Sequence, residues 1–185
     1  CLPRGTTGAG RAGEPVWAAA ALVEGRRCVG RSTATGVTAG PYRPGLLALR
    51  VGPALAAAVA ALPRRPDVLL VDATARDHPR RAGLAWHLGA VLDLPTVGVT
   101  HRPLRASGPW PGDERGEVAP LRVDGELVGY WVRTRAGRRP LAVHAGWRTD
   151  PDTAVEVVMA VAYHRTPTPL REARRLARRL RAGAV

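Results

Sequence analysis

The apolar positions fall into short blocks whose spacing changes along the chain. Val16 to Glu24 is an apolar run too short for a typical helix, Gly25-Arg26-Arg27 reads as a turn, and Cys28 to Thr35 carries Val and Thr. Together these predict a β-hairpin. Pro41-Tyr42-Arg43-Pro44-Gly45 is a rigid turn, because each proline fixes φ and the glycine releases the chain. Leu46 to Leu62 is rich in Ala and Leu and predicts a helix that begins or bends at Pro53. Asp67 to Asp72 is a continuously apolar segment between two carboxylates, as in a buried parallel strand.

Ala82 to Leu92 reads as a helix with Leu84, His87, Leu88 and Val91 on one face, and Pro95 to Thr100 as the next strand. Strand, helix and strand in that order make a βαβ unit, so part of the sheet is expected to be parallel. A Pro/Gly loop covers Pro103 to Val118. Leu121-Arg122-Val123, Asp124-Gly125 and Leu127 to Arg133 spell a second hairpin with an Asp-Gly turn. Leu141 to His144 is a further strand, and Thr153 to Tyr163 and Leu170 to Leu180 close the chain as helices. Residues 1–14 read as loop. With no internal repeat and no long linker, the pattern predicts one α/β domain over residues 1–185.

Composition narrows the class. At 185 residues with 45% apolar and 23% charged content, the chain is long enough for one core and is not a disordered sequence. Its longest apolar run, Ala54 to Leu62, is far below the roughly 20 residues of a membrane span, and the first fourteen residues carry no signal-peptide pattern. A soluble, cytoplasmic monomer without a membrane partner is expected. Cys1 and Cys28 have no metal-site spacing and read as free thiols.

Charge changes the picture more. All 28 basic residues are Arg, and Lys, Ile, Phe and Asn are absent together, the mark of a GC-rich genome. Codon bias accounts for Arg over Lys but not for the net charge of +13 against only 15 acidic residues. A field of that size favours a polyanionic partner, with nucleic acid first.

Asp72 stands at a strand end, where open α/β sheets place their ligands. Residues 72–81 then pack Asp72 and Asp77, His78, and Arg76, Arg80 and Arg81 into one segment. Hard carboxylate oxygen suits a divalent cation, and forked guanidinium donors suit phosphate. The competing reading is a surface loop whose charges neutralise one another.

The stretch from Pro66 to Asp72, then His78-Pro79-Arg80-Arg81-Ala82-Gly83-Leu84 to Gly89, then Leu94 to Val99, resembles the endonuclease V family, as does Pro41 to Arg50. The resemblance covers roughly residues 15–182. It implies a ribonuclease H-like mixed sheet flanked by helices, and Mg²⁺-dependent hydrolysis of a phosphodiester near inosine or deoxyinosine in DNA or RNA. By the same resemblance Asp72 matches a metal ligand, His78 a catalytic His near the metal and the scissile phosphate, and Tyr42 a wedge that separates strands. Gly45, Leu47, Gly83, Leu84 and Leu104 match positions around the extruded base, and Arg50, Arg80, Arg81 and His101 match positions at phosphate.

Four departures stand against the family pattern. Val51 replaces a metal-binding Glu, Trp147 a His, His101 a Lys and Ala73 a Gly. The family's first strand, with its first Asp, would precede Cys1. Two strand edges would then lack partners, at about 1–3 kcal/mol for each buried unpaired group, so residues upstream of Cys1 are expected in the natural protein. Asp77 and Asp150 are the acids available to compensate. The expected activity is therefore weakened, with Mg²⁺ held weakly or not at all. A catalytically silent nucleic-acid-binding protein on the same fold is the second reading, and an Arg-rich domain with another macromolecular partner the third.

Overall fold

A computed structural model describes residues 10–183. Residues 1–9, with Cys1 and most of the expected N-terminal loop, lie outside the described residues, as do 184 and 185. In chain order the elements are β1 (Pro15–Glu24), β2 (Arg27–Val37), α1 (Leu47–Ala60), β3 (Leu69–Val71), α2 (Leu84–Leu92), β4 (Thr96–Thr100), β5 (Val118–Val123), β6 (Glu126–Val132), β7 (Leu141–Ala145), α3 (Pro151–Val161) and α4 (Thr168–Arg181). They group into two compact units: residues up to Pro66 together with Pro169 onward, and Asp67–Thr168.

In the first unit β1 and β2 form the expected antiparallel hairpin, with Trp17 opposite Thr35 and Ala19 opposite Thr33. Ala18, Ala19 and Val16 are buried, and α1 covers the hairpin with Val51, Leu55, Ala58 and Val59. The Ser32 hydroxyl donates to the Ala58 carbonyl at 2.5 Å, closing the contact with a hydrogen bond. The helix spans Leu47–Ala60 with Pro53 inside it, so it does not start at the proline. Burial of residues on both sides of the proline outweighs the one backbone bond its ring removes. In α4, Leu170, Ala173 and Ala177 form the buried stripe while Arg171, Arg175, Arg178 and Arg179 are exposed.

The second unit holds a five-stranded mixed sheet in the order β3-β4-β7-β6-β5. β3 and β4 are parallel, with Leu70 opposite Val97, and the other pairs are antiparallel. The β5–β6 turn is the Asp-Gly one, with φ of +52° at Asp124 and +83° at Gly125. Both central residues of such a turn need positive φ, which explains the pair. α2 and α3 pack on the sheet, and β7 is buried throughout.

Two expectations need correction here. The strand predicted over Asp67–Asp72 is only three residues long and only Val71 in it is buried. β3 is an edge strand, paired with β4 alone among the described residues, so Leu69 and Leu70 remain half-buried. The buried face of α2 is Leu84, Ala85, Leu88 and Gly89, whereas Val91 is 60% exposed. Gly89 sits against Trp147, where a Cβ would come within 2.3 Å of the indole's own Cβ, and that close approach sets the face.

Candidate functional site

Asp72 is exposed at the end of β3, and the chain turns at once through a run of bends to His78. The turn is tight: the His78 N–H donates to the Arg76 carbonyl at 2.8 Å and the Arg81 N–H to the His78 carbonyl at 2.8 Å. His78 is buried, its Nδ1 accepting from the Arg80 N–H at 3.2 Å. Gly83 then caps α2 where a Cβ would lie 2.5 Å from the Thr74 carbonyl oxygen. Only a glycine lets the helix start so close to the strand-end segment. Its smallness thus serves the packing of that segment, beside whatever it offers a ligand.

Asp77 points the other way from a surface acid. It is fully buried, and its carboxylate accepts the backbone N–H groups of Arg105 at 2.6 Å, Ala106 at 2.5 Å and Leu104. The readings of Asp77 as a second metal ligand or as a stray surface charge are both overturned. Three amides aimed at one carboxylate stabilise its charge inside the protein and fix the loop that carries Leu104. Leu104 itself is 57% exposed on that anchored loop.

Behind Asp77 lies His144, fully buried in the middle of β7, with Nε2 3.9 Å from Asp77 Oδ2 and 3.3 Å from the Thr100 hydroxyl. Its Nδ1 has no hydrogen-bond partner among the described residues. Burial pushes its pKa down from 6.5 to about 4, and the Asp77 charge opposes that shift only in part. The imidazole is neutral at pH 7. Below pH 6.5 the unfolded chain takes up a proton that the folded one refuses, so stability falls as pH drops from about 6.5 towards 4. Urea midpoints at pH 7 and pH 5 should show this loss, and His144→Leu should flatten it; an unchanged pH slope in that variant contradicts the assignment.

The arginines divide. Arg80 is exposed in the segment that follows Asp72. Arg81 is instead drawn to Asp124 at 3.5 Å and Glu126 at 3.4 Å, and Arg76 to Glu126 at 3.3 Å. The β5–β6 turn therefore neutralises part of the charge that the sequence suggested for a polyanion. His101 is half-buried at the end of β4.

The remaining candidates belong to the first unit. Tyr42 is half-buried, its N–H donating to the Gly10 carbonyl at 2.9 Å, and Gly45 takes φ +78°. Leu47 opens α1 half-buried. Arg50 departs from expectation. It is buried, forms a 2.6 Å ion pair with Glu14, and donates to the carbonyls of Arg11 at 2.9 Å and Gly40 at 2.5 Å. With its fork engaged in tying segments 10–14 and 40 to α1, Arg50 is a structural clamp and not a phosphate ligand. Cys28 is a free thiol in β2.

The sequence profile of the family described as Endonuclease V matches residues 7–175. The chain belongs to the endonuclease V family. Endonuclease V of Streptomyces avermitilis is 42% identical over 152 residues, 82% of this chain and 66% of that protein. The chain thus spans just under two thirds of that relative's length. The crystal structure of a Streptomyces avermitilis Endonuclease V superposes with a TM-score of 0.81 at 34% identity, covering 97% of this chain and 86% of that one. Endonuclease V of Ciona intestinalis, solved in complex with a 24mer DNA containing an inosine followed by a ribo-adenosine, shares the fold at TM-score 0.79 and 20% identity, covering 100% and 85%. The α/β architecture, a mixed sheet flanked by helices, is that of the endonuclease V structures.

Endonuclease V proteins are metal-dependent as a family, which calls for a test of the donors present here. Asp72 offers one carboxylate, while both oxygens of Asp77 are taken by loop amides. Val51, 1% exposed, has no oxygen to give, and the Trp147 indole can donate but not ligate. Asp150 caps α3, accepting from the N–H groups of Asp152 and Thr153 and from the Thr153 hydroxyl at 2.6 Å, contacts that hold its pKa below the usual carboxylate value. Among the described residues no three His, Cys, Asp or Glu side chains are grouped to hold a metal ion. This donor set does not fit a divalent cation that prefers near-octahedral oxygen ligation.

Sequence reasoning missed His144 and the real work of Asp77. A lone His inside an apolar strand was the available signal for the first. Thr96 was missed as well. Fully buried, it accepts the Trp147 N–H on its hydroxyl at 2.8 Å and the Gly146 N–H on its carbonyl at 3.0 Å, locking Trp147 in place.

Proposed function

We propose that this protein is an endonuclease V-type repair protein that binds DNA, or structured RNA, at inosine. On this reading residues 1–185 act as one such domain, Tyr42 in its proline frame replaces a lost stacking partner, and Gly45, Leu47, Gly83, Leu84 and Leu104 keep the small or apolar character that the family resemblance gives to base-pocket positions. Arg80 and His101 lie at phosphate, and His78 supports the strand-end segment. Magnesium-dependent hydrolysis of the neighbouring phosphodiester is the activity the family suggests. The described residues alone supply Asp72 as its only ligand. The observation that carries the binding reading is the Asp72–Arg81 segment, braced by the buried Asp77 anchor beneath a +13 chain. The cytoplasm is its proposed place of action. No helix among the described residues is long and apolar enough to cross a membrane.

The test of the reading is metal-free binding in EDTA to two duplexes differing only in inosine for adenosine. The inosine duplex is expected to bind more tightly, and Tyr42→Ala to reduce that preference at least about fivefold, the low end for loss of a stacked ring. Equal affinity of the wild-type protein for both duplexes contradicts the proposal.

A further inference from the structure

Trp110 has no part in the site above, yet it is 54% exposed. It lies within Gly108-Pro109-Trp110-Pro111-Gly112, so a proline restricts the backbone on either side of it. The loop is braced from below by Arg133, which is buried. Arg133 donates to the carbonyls of Gly112 at 2.8 Å, Pro111 at 3.0 Å and Arg138 at 2.5 Å, and pairs with Asp113 at 2.9 Å. One guanidinium therefore ties the Trp110 loop to the turn between β6 and β7. The ring itself stands edge-on to Trp131, centroids 6.2 Å apart, and Trp131 is buried in the core with Ala106 and Leu121.

The guanidinium of Arg139 lies over the Trp110 ring at 5.4 Å, and its backbone is held by Arg165, whose Nε donates to the Arg139 carbonyl at 2.7 Å. Arg135 and Arg138 are exposed on the same turn. Of the acids in the loop, Asp113 neutralises Arg133 and Glu117 turns back to accept the Glu114 N–H at 3.0 Å, while Glu114 is exposed. The turn keeps a positive balance.

We propose that Trp110, with Arg139 over its ring and Arg135 and Arg138 alongside, is a stacking platform for an unpaired nucleobase of a bound strand. The inference rests on the nucleic-acid reading and adds a second contact to it, independent of inosine. Every base has a π face, so such a platform tolerates any sequence, and the guanidinium groups meet the phosphates that flank the stacked base. A paired base would offer no free face, which makes single-stranded nucleic acid the fitting occupant. Arg133 fixes the backbone of the loop that carries the exposed ring.

The test uses a labelled oligothymidylate of about 20 nucleotides, without inosine, and the whole chain. Trp110→Ala is expected to bind roughly 5- to 150-fold more weakly at fixed salt, the range for truncating a base-stacking aromatic, while its thermal midpoint stays near that of the wild type. Independently, the oligonucleotide should quench tryptophan fluorescence of the wild type and quench Trp110→Phe much less. Unchanged affinity in Trp110→Ala, or unchanged quenching in Trp110→Phe, removes the platform and leaves the inosine reading standing. A wild-type protein that binds no oligonucleotide at all overturns both.

Discussion

Asp77→Ala is expected to lower the unfolding free energy by about 3–5 kcal/mol at pH 7, measured from urea denaturation. The residue is fully buried and accepts the N–H groups of Leu104, Arg105 and Ala106. Truncation strands three amides without their acceptor, the Ala106 one in a buried position, and a buried unpaired group costs about 1–3 kcal/mol. Asp77→Asn keeps one acceptor oxygen but turns an NH₂ group onto an amide donor, so it recovers only part of the loss. Hydrogen exchange adds a local check, since amides 104–106 should become the fastest-rising in the variant. A loss below about 1 kcal/mol would mean that the loop holds itself, contrary to its three-fold anchoring.

Nucleic-acid binding should be steeply salt-dependent. Arg31, Arg64, Arg76, Arg81 and Arg148 are paired with carboxylates, while Arg135, Arg138 and Arg179 are exposed in a chain of net charge +13. If about 6–10 phosphates are contacted, affinity falls roughly 10³–10⁵-fold between about 50 and 200 mM salt, because each contact releases condensed counterions. Titration of an inosine-containing duplex across that range reads the slope directly. A flat response would remove phosphate contacts from the account.

Much of the architecture was legible because it is encoded locally. The hairpin of β1 and β2 follows from a short apolar run and a Gly-Arg turn, and that of β5 and β6 from Asp124-Gly125. The parallel pairing of β3 with β4 follows from a helix of the right length between two apolar segments. The misplaced parts depend on partners far away in sequence. Nothing near Arg50 announces that Glu14 and the Gly40 carbonyl will take its guanidinium. Nothing near Asp77 announces amides 27 to 29 residues later. Arg76 and Arg81 looked available for phosphate until the β5–β6 turn brought Asp124 and Glu126 to them.

Asp72, matched to a metal ligand by the family resemblance alone, stands in no group of three His, Cys, Asp or Glu side chains among the described residues. A cation held by a single carboxylate, with water and phosphate completing its shell, binds weakly, and roughly each 1.4 kcal/mol of lost transition-state stabilisation slows the reaction tenfold. The decisive measurement is strand scission of an inosine-containing duplex in Mg²⁺ by this 185-residue chain beside its Asp72→Ala variant. Tight binding of the duplex with no cutting above the level of the variant is the predicted result. Efficient Mg²⁺-dependent scission that disappears in Asp72→Ala would contradict the account.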